Sequence, residues 1–151
     1  MAKHSPPLKP LALANFKRID GRLSNLVANF WKLVWGKEDP AIDQKTKYLL
    51  SLANAVGAGR YRQATRELVK AYAIGLTVDE IDELFTLFVW NQGAGYFASE
   101  IGPSPLFAAY QRIKTMESRG CSIKEVMEEL MRDFSEDNPA ISVRVAKDDT
   151  Q

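Results

Sequence analysis

Arg60, Gln63 and Glu67 follow one another at intervals of three and four residues, the spacing that places side chains on one face of an α-helix. Glu67 has Ala64 and Ala71 about one turn to either side, so its surroundings are small and apolar. Burial of that kind raises a carboxyl's pKa and suits it to general acid or base work. An ordinary ion pair with Arg60 or another base is the competing reading. Arg60, Arg62 and Arg66 also open this helix just after Gly57, Ala58 and Gly59. Free N–H groups at a helix start, with guanidinium charge added, suit a carboxylate or phosphate. A solvated basic face would use the same residues.

The densest mixture of aromatic and polar groups runs from Trp90 to Glu100. Asn91, Gln92 and Glu100 are candidate polar anchors of a ligand pocket there. A packed helix junction or a subunit interface also favours aromatics. Gly93, Gly95 and Ala98 formally fit a dinucleotide fingerprint, but that motif needs a strand before it, and here a helix precedes it. A helix break is the better reading. Cys121 follows Gly120 and precedes a helix start, a place that can lower a thiol pKa. It is the chain's one cysteine, so no disulfide can cycle within the chain, and a structural or incidental role is favoured. The one histidine is His4, in a Pro-rich leader. A catalytic histidine from the folded body and a multi-cysteine metal site are therefore excluded, and no metal or cofactor is expected.

The elements that must position these groups are all helical by pattern. Apolar residues from Phe16 to Val34 recur at helical spacing, with Gly21 weakening or kinking the run by about 1 kcal/mol against Ala. Asp43 can cap a second helix with Tyr48, Leu49, Leu52, Ala53 and Val56 inward. A third carries Tyr61, Ala64, Leu68, Ala71 and Tyr72. Thr77 and Glu80 form a capping box opening a helix over 78–92, apolar on more than one face and so expected to be buried on more than one side. Leu106 to Met116 marks the next helix, and Ser122 with Glu125 caps the last. Ile141, Val143 and Val145 alternate in a polar tail, a short strand-like pattern that could dock on something. The expected layout is a leader over 1–10, one helical domain over 11–135 and a tail over 136–151.

At 151 residues the chain is long enough for one domain with a sizeable core. A net charge of +1 argues against nucleic-acid binding, which needs a basic excess. No apolar run reaches the roughly 20 residues that span a bilayer, and the leader lacks the apolar stretch of a signal peptide. A reducing, cytoplasmic setting is expected from the cysteine usage.

Two segments, DQKTKYLLSLA from Asp43 to Ala53 and AYAIGLTVDEI from Ala71 to Ile81, resemble the carboxymuconolactone decarboxylase / alkylhydroperoxidase D family. The resemblance is strongest over 43–110. It implies an all-α, alkylhydroperoxidase D-like bundle of about six helices, forming homo-oligomers from dimers to hexamers, with the active site between helices near subunit contacts. The family's redox branch carries a glutamate, a Cys-x-x-Cys and a histidine. Counting from Gly75, Tyr48 stands at the glutamate position, Arg60 and Gln63 at the cysteine positions, and Glu67 at the histidine position. The family's thiol redox chemistry is thereby excluded. The decarboxylase branch also carries histidine where Glu67 stands. The expectation is a site in which Glu67 is the acid/base, Arg60 holds a small anionic molecule, and Gln63, Tyr48, Asn91, Gln92 and Glu100 orient it. The alternative is a catalytically inactive oligomer used for binding or assembly. A peroxidase-like antioxidant protein, which would need an exposed Cys121 of low pKa, is the weakest reading.

Overall fold

Asp20 ends the first helical run and starts the next. Its extended backbone (φ −161°) breaks the helix, and its carboxylate accepts from the Arg22 N–H at 2.7 Å, capping the second helix. A computed structural model describes residues 12–134, and places α1 at Ala12–Ile19 and α2 at Gly21–Trp35. The remaining helices are α3 (Gln44–Gly57), α4 (Tyr61–Ala73), α5 (Val78–Gln92), α6 (Ala94–Tyr96), α7 (Pro105–Ser118) and α8 (Ile123–Phe134), with a π turn over Phe97–Ile101 between α6 and α7. All regular structure among the described residues is helical. The helices beyond the expected six come from the split at Asp20 and from the short α6. The alternation at Ile141, Val143 and Val145, the leader with His4, and the tail lie outside the described residues.

Local chemistry sets most boundaries. Asp43 caps α3 by accepting from the Thr46 N–H at 2.9 Å. Thr77 and Glu80 complete the capping box of α5, with Glu80 accepting from the Thr77 N–H at 2.8 Å and Thr77 from the Glu80 N–H at 3.2 Å. Ser122 and Glu125 exchange the same pair of bonds before α8. Gly93 ends α5 with a φ of 88°, a backbone conformation that other residues rarely adopt. Gly36 ends α2 for a different reason: a Cβ there would sit 2.8 Å from the Lys32 carbonyl oxygen.

α4 is the centre of the bundle. It packs on α3, α7 and α8, and eight of its thirteen residues are buried. Leu68, Val69 and Tyr72 meet Leu52 and Val56 of α3, Leu106 and Ile113 of α7, and Val126 and Leu130 of α8 in one core. Burying a side chain such as Leu68 contributes roughly 1.5–3 kcal/mol. On α3 the buried set is Tyr48, Leu52, Ala55 and Val56; Ala53, expected inward, is exposed.

Of the two apolar faces of α5, the described residues cover one. Ile81, Phe85 and Phe88 are buried, and Phe85 stacks on Tyr110 of α7 with centroids 4.2 Å apart. The Tyr110 hydroxyl donates to Asp82, which also pairs with Lys114 at 2.8 Å. The opposite face is not covered by the described residues: Leu87 is 50% and Trp90 84% exposed. Apolar periodicity marks a face that avoids water, but it does not say whether this chain covers it.

The Thr77 cap is local and exposed, so its contribution is separable from the core. Thr77→Ala is expected to destabilise the protein by about 1 kcal/mol in urea unfolding, with an unchanged m-value.

Candidate functional site

The interior of α4 holds two ionisable side chains. Glu67 is 6% exposed, and Lys70, one turn on, is buried as well. Lys70 Nζ lies 3.6 Å from Glu67 Oε1. Ala64 and Ala71, both fully buried, provide the small apolar flanks expected for Glu67. Glu67 Oε2 has no hydrogen-bond partner among the described residues. Burial pushes the Glu67 carboxyl above the usual carboxylate range, against the opposing positive charges of Lys70 and Arg66.

Two rings close over this pair. Trp35, at the end of α2, stacks on Tyr48 of α3 with centroids 4.9 Å apart and planes 21° from parallel. Lys70 Nζ stands 5.9 Å from the Trp35 centroid and 5.8 Å from the Tyr48 centroid, within cation–π range of both. Gln44 donates to the Tyr48 hydroxyl at 3.0 Å. Burial raises the Tyr48 phenol, the Gln44 bond opposes it, and the Glu67 charge raises it further. Lys47 Nζ donates to the Val34 carbonyl at 2.8 Å, tying the end of α2 to α3 beside this cluster.

Of the residues singled out in the sequence, the structure brings together Tyr48 and Glu67. Lys70 and Trp35 complete the cluster, and the sequence reading does not single them out. Lys70 had a signal, a charge within the apolar run Leu68, Val69, Ala71, at the i+3 position from Glu67. Trp35 had none, because it arrives from a distant part of the chain.

Arg60, Gln63, Asn91, Gln92 and Glu100 belong elsewhere. Arg60 occupies the N-cap position of α4 without a side-chain capping bond and is exposed. Seven residues along α4 separate it from Glu67, about 10 Å at 1.5 Å per residue. The base that pairs with Glu67 is Lys70, not Arg60. Gln63 is partly exposed, and Asn91 and Glu100 are exposed. Gln92 reaches the turn before α4, with its Nε2 3.9 Å from where a Cβ on Gly57 would lie. In the same region the Tyr61 and Tyr96 hydroxyls are 2.5 Å apart. Burial, the Tyr96 hydrogen bond and the Tyr96 and Glu100 charges all raise the Tyr61 phenol. This second cluster joins the start of α4 to α6 through Tyr61 and Tyr96.

Gly93 follows α5, Gly95 lies within the three-residue α6 and Ala98 within the π turn, so the motif has neither a strand before it nor a full helix opening at it, and the dinucleotide reading fails on both sides. Cys121 is half-buried against the core rather than exposed. It borders a shallow groove of about 510 Å³ between α7 and α8, where Arg112 is already paired with Glu129 and Asp133. No group of acidic, cysteine or histidine residues among the described residues could hold a metal ion. No helix among them is long and apolar enough to cross a membrane.

Cluster chemistry sets a pH dependence. A carboxyl whose pKa is raised by folding binds its proton more tightly in the native state. Its contribution to stability is full below the ordinary glutamate pKa, and is lost as pH rises through the raised folded value. The stability of the wild type relative to Glu67→Gln is therefore expected to fall as pH climbs from about 4 through the raised folded value, then level off. Urea midpoints of the two proteins measured in parallel check this; a difference that stays flat with pH would remove the raised pKa.

Compared with known proteins, the chain matches no family model, no curated protein and no solved structure.

Proposed function

We propose that the chain is a carboxymuconolactone decarboxylase-like protein that binds, and exchanges a proton with, a small anionic organic molecule at a non-redox site centred on Glu67 and Lys70. The observation that carries this reading is the sealed, unpartnered carboxylate oxygen of Glu67 beside a buried ammonium. Leaving a buried polar group unsatisfied costs about 1–3 kcal/mol, and a perturbed titratable group with such a cost is a recurring mark of functional sites. Lys70 supplies the charge that holds the anion, in place of the exposed Arg60. Glu67 supplies the proton, and Tyr48 and Trp35 supply flat apolar walls. Trp35 is the half-exposed wall, so a ligand enters on its side.

The residue-by-residue resemblance supports the same centre, since Tyr48 and Glu67 stand where the redox branch carries its glutamate and histidine. With Arg60 and Gln63 at the cysteine positions, a thiolate and its resolving thiol are both missing there, so the site works without disulfide exchange.

A second reading, an inactive oligomer used for binding or assembly, draws on a separate observation. The outward faces of α2 and α5 carry large apolar side chains into solvent. Contiguous patches of this kind mark contact surfaces. The expected assembly is a homo-oligomer, between dimer and hexamer.

A thermal-shift series with mono- and dicarboxylates, lactones and phosphates tests the first reading. One anion class is expected to raise Tm in the wild type and in Arg60→Ala. The rise should vanish in Glu67→Gln and Lys70→Met, each judged against its own unliganded Tm. At about 100 times Kd the stabilisation is about 2.7 kcal/mol. No rise with any compound would leave the assembly reading in its place.

A further inference from the structure

The two exposed apolar faces differ in charge, and the difference is large. Residues 12–35, which make up α1 and α2, carry Lys17, Arg18, Arg22 and Lys32 against the single acid Asp20. Asp20 is already engaged by Arg22 at 3.0 Å. α5 carries Asp79, Glu80, Asp82 and Glu83 and no base. Glu80 is paired with Lys45 and Asp82 with Lys114. Asp79 and Glu83 have no ion-pair partner among the described residues.

The apolar residues lie beside these charges in matching rows. On α2, Leu26 (67% exposed), Phe30 (64%) and Leu33 (70%) are spaced by four and three residues, with Arg22 one turn before Leu26. They form one outward stripe, because Ser24, Val27, Ala28, Trp31 and Trp35 take the half-buried side. On α5, Glu83, Leu87 and Trp90 are likewise spaced by four and three. The 3–4 repeat is the seam along which two helices pack at a shallow angle. α2 has no buried residue, and among the other helices its close packing partner is α1. Its stripe is therefore uncovered by the described residues.

We propose that the outward stripe of α2 docks on the outward stripe of α5 in a second copy of this chain. The proposal rests on the assembly reading above and names its interface. The alternatives are two α2 stripes or two α5 stripes meeting each other, and each would bring like charges together. In the first, Arg22 on the stripe and Lys32 at its flank would gather with their own counterparts, and in the second Asp79 and Glu83 would face theirs. Like charges placed across a contact disfavour it, and complementary ones steer and register it. Only the α2-to-α5 pairing sets bases against acids while setting Leu26, Phe30 and Leu33 against Leu87 and Trp90. A two-fold dimer uses this contact twice. Repetition without two-fold symmetry makes a ring where the rotation closes and a filament where it does not.

The test is sedimentation equilibrium of the full chain and of variants at exposed positions. Circular dichroism of each variant should match the wild type. The wild type is expected to self-associate, more weakly at high salt. Phe30→Asp and Trp90→Asp should each weaken association about tenfold or more. Mixed in equal amounts, they should form a one-to-one species, because one retains an intact α5 stripe and the other an intact α2 stripe. Lys32→Glu and Glu83→Lys should each weaken association alone, and the double variant should recover it. A monomeric wild type at about 100 μM would overturn both the assembly reading and this interface. An oligomeric wild type whose state Trp90→Asp leaves unchanged, or Asp variants that fail to combine, would overturn this interface alone.

Discussion

α4 has almost no solvent side, and the rest of the structure has to accommodate that. A helix packed on α3, α7 and α8 at once must be apolar nearly all round, and Ala64, Leu68, Val69, Ala71 and Tyr72 meet that demand. Glu67 and Lys70 do not, and they survive in the interior by pairing. The Coulomb attraction between them is strengthened by the dryness that makes each of them costly. Neither could be kept there alone as a charge. Their neighbours follow from the same constraint: the faces of Trp35 and Tyr48 offer the ammonium a favourable quadrupole without competing hydrogen bonds. The carboxylate is left with one oxygen that the described residues do not satisfy.

The parts of this architecture that depend on neighbours in sequence are legible in the sequence itself. Asp43, Thr77 with Glu80, and Ser122 with Glu125 cap their helices by bonds that span three residues, so their roles need no knowledge of the tertiary fold. The inward turn of Glu67 is legible for the same reason, through Ala64 and Ala71. Roles that depend on meeting distant residues are not. Arg60 shares a helix face with Glu67, but sharing a face says nothing about the 10 Å of rise between them. Lys70 sits where the pattern has an apolar position, yet lysine is rarely buried, and only the packed structure shows it facing Trp35. The outer face of α5 reads as buried because periodicity records an aversion to water, not which surface relieves it.

The two clusters on α4 divide its labour. The start of the helix is joined to α6 by the Tyr61–Tyr96 hydrogen bond, while Gln92 at the end of α5 approaches Gly57 at the end of α3. The middle, with Glu67 and Lys70, is joined to α3 and, through Trp35, to α2. Gln92, Tyr96 and Glu100 therefore gather around the start of α4, and the ionisable pair lies two turns away in a drier place.

The arrangement of contacts also has a bearing on how the chain reaches this state. α3 packs on α4 and α7 on α8, each pair joined by a short connection, and α4 carries the contacts that link the two pairs. Most of the backbone can thus become ordered through pairings between chain neighbours, where the entropy of closing a loop is small. The meeting of α4 with α7 and α8 is the largest contact between residues far apart in sequence, with smaller ones where α5 meets α3 and α7. Low contact order of this kind goes with rapid folding. It also means that the α3–α4 pair can bring Tyr48 and the Glu67–Lys70 pair together before the C-terminal helices arrive.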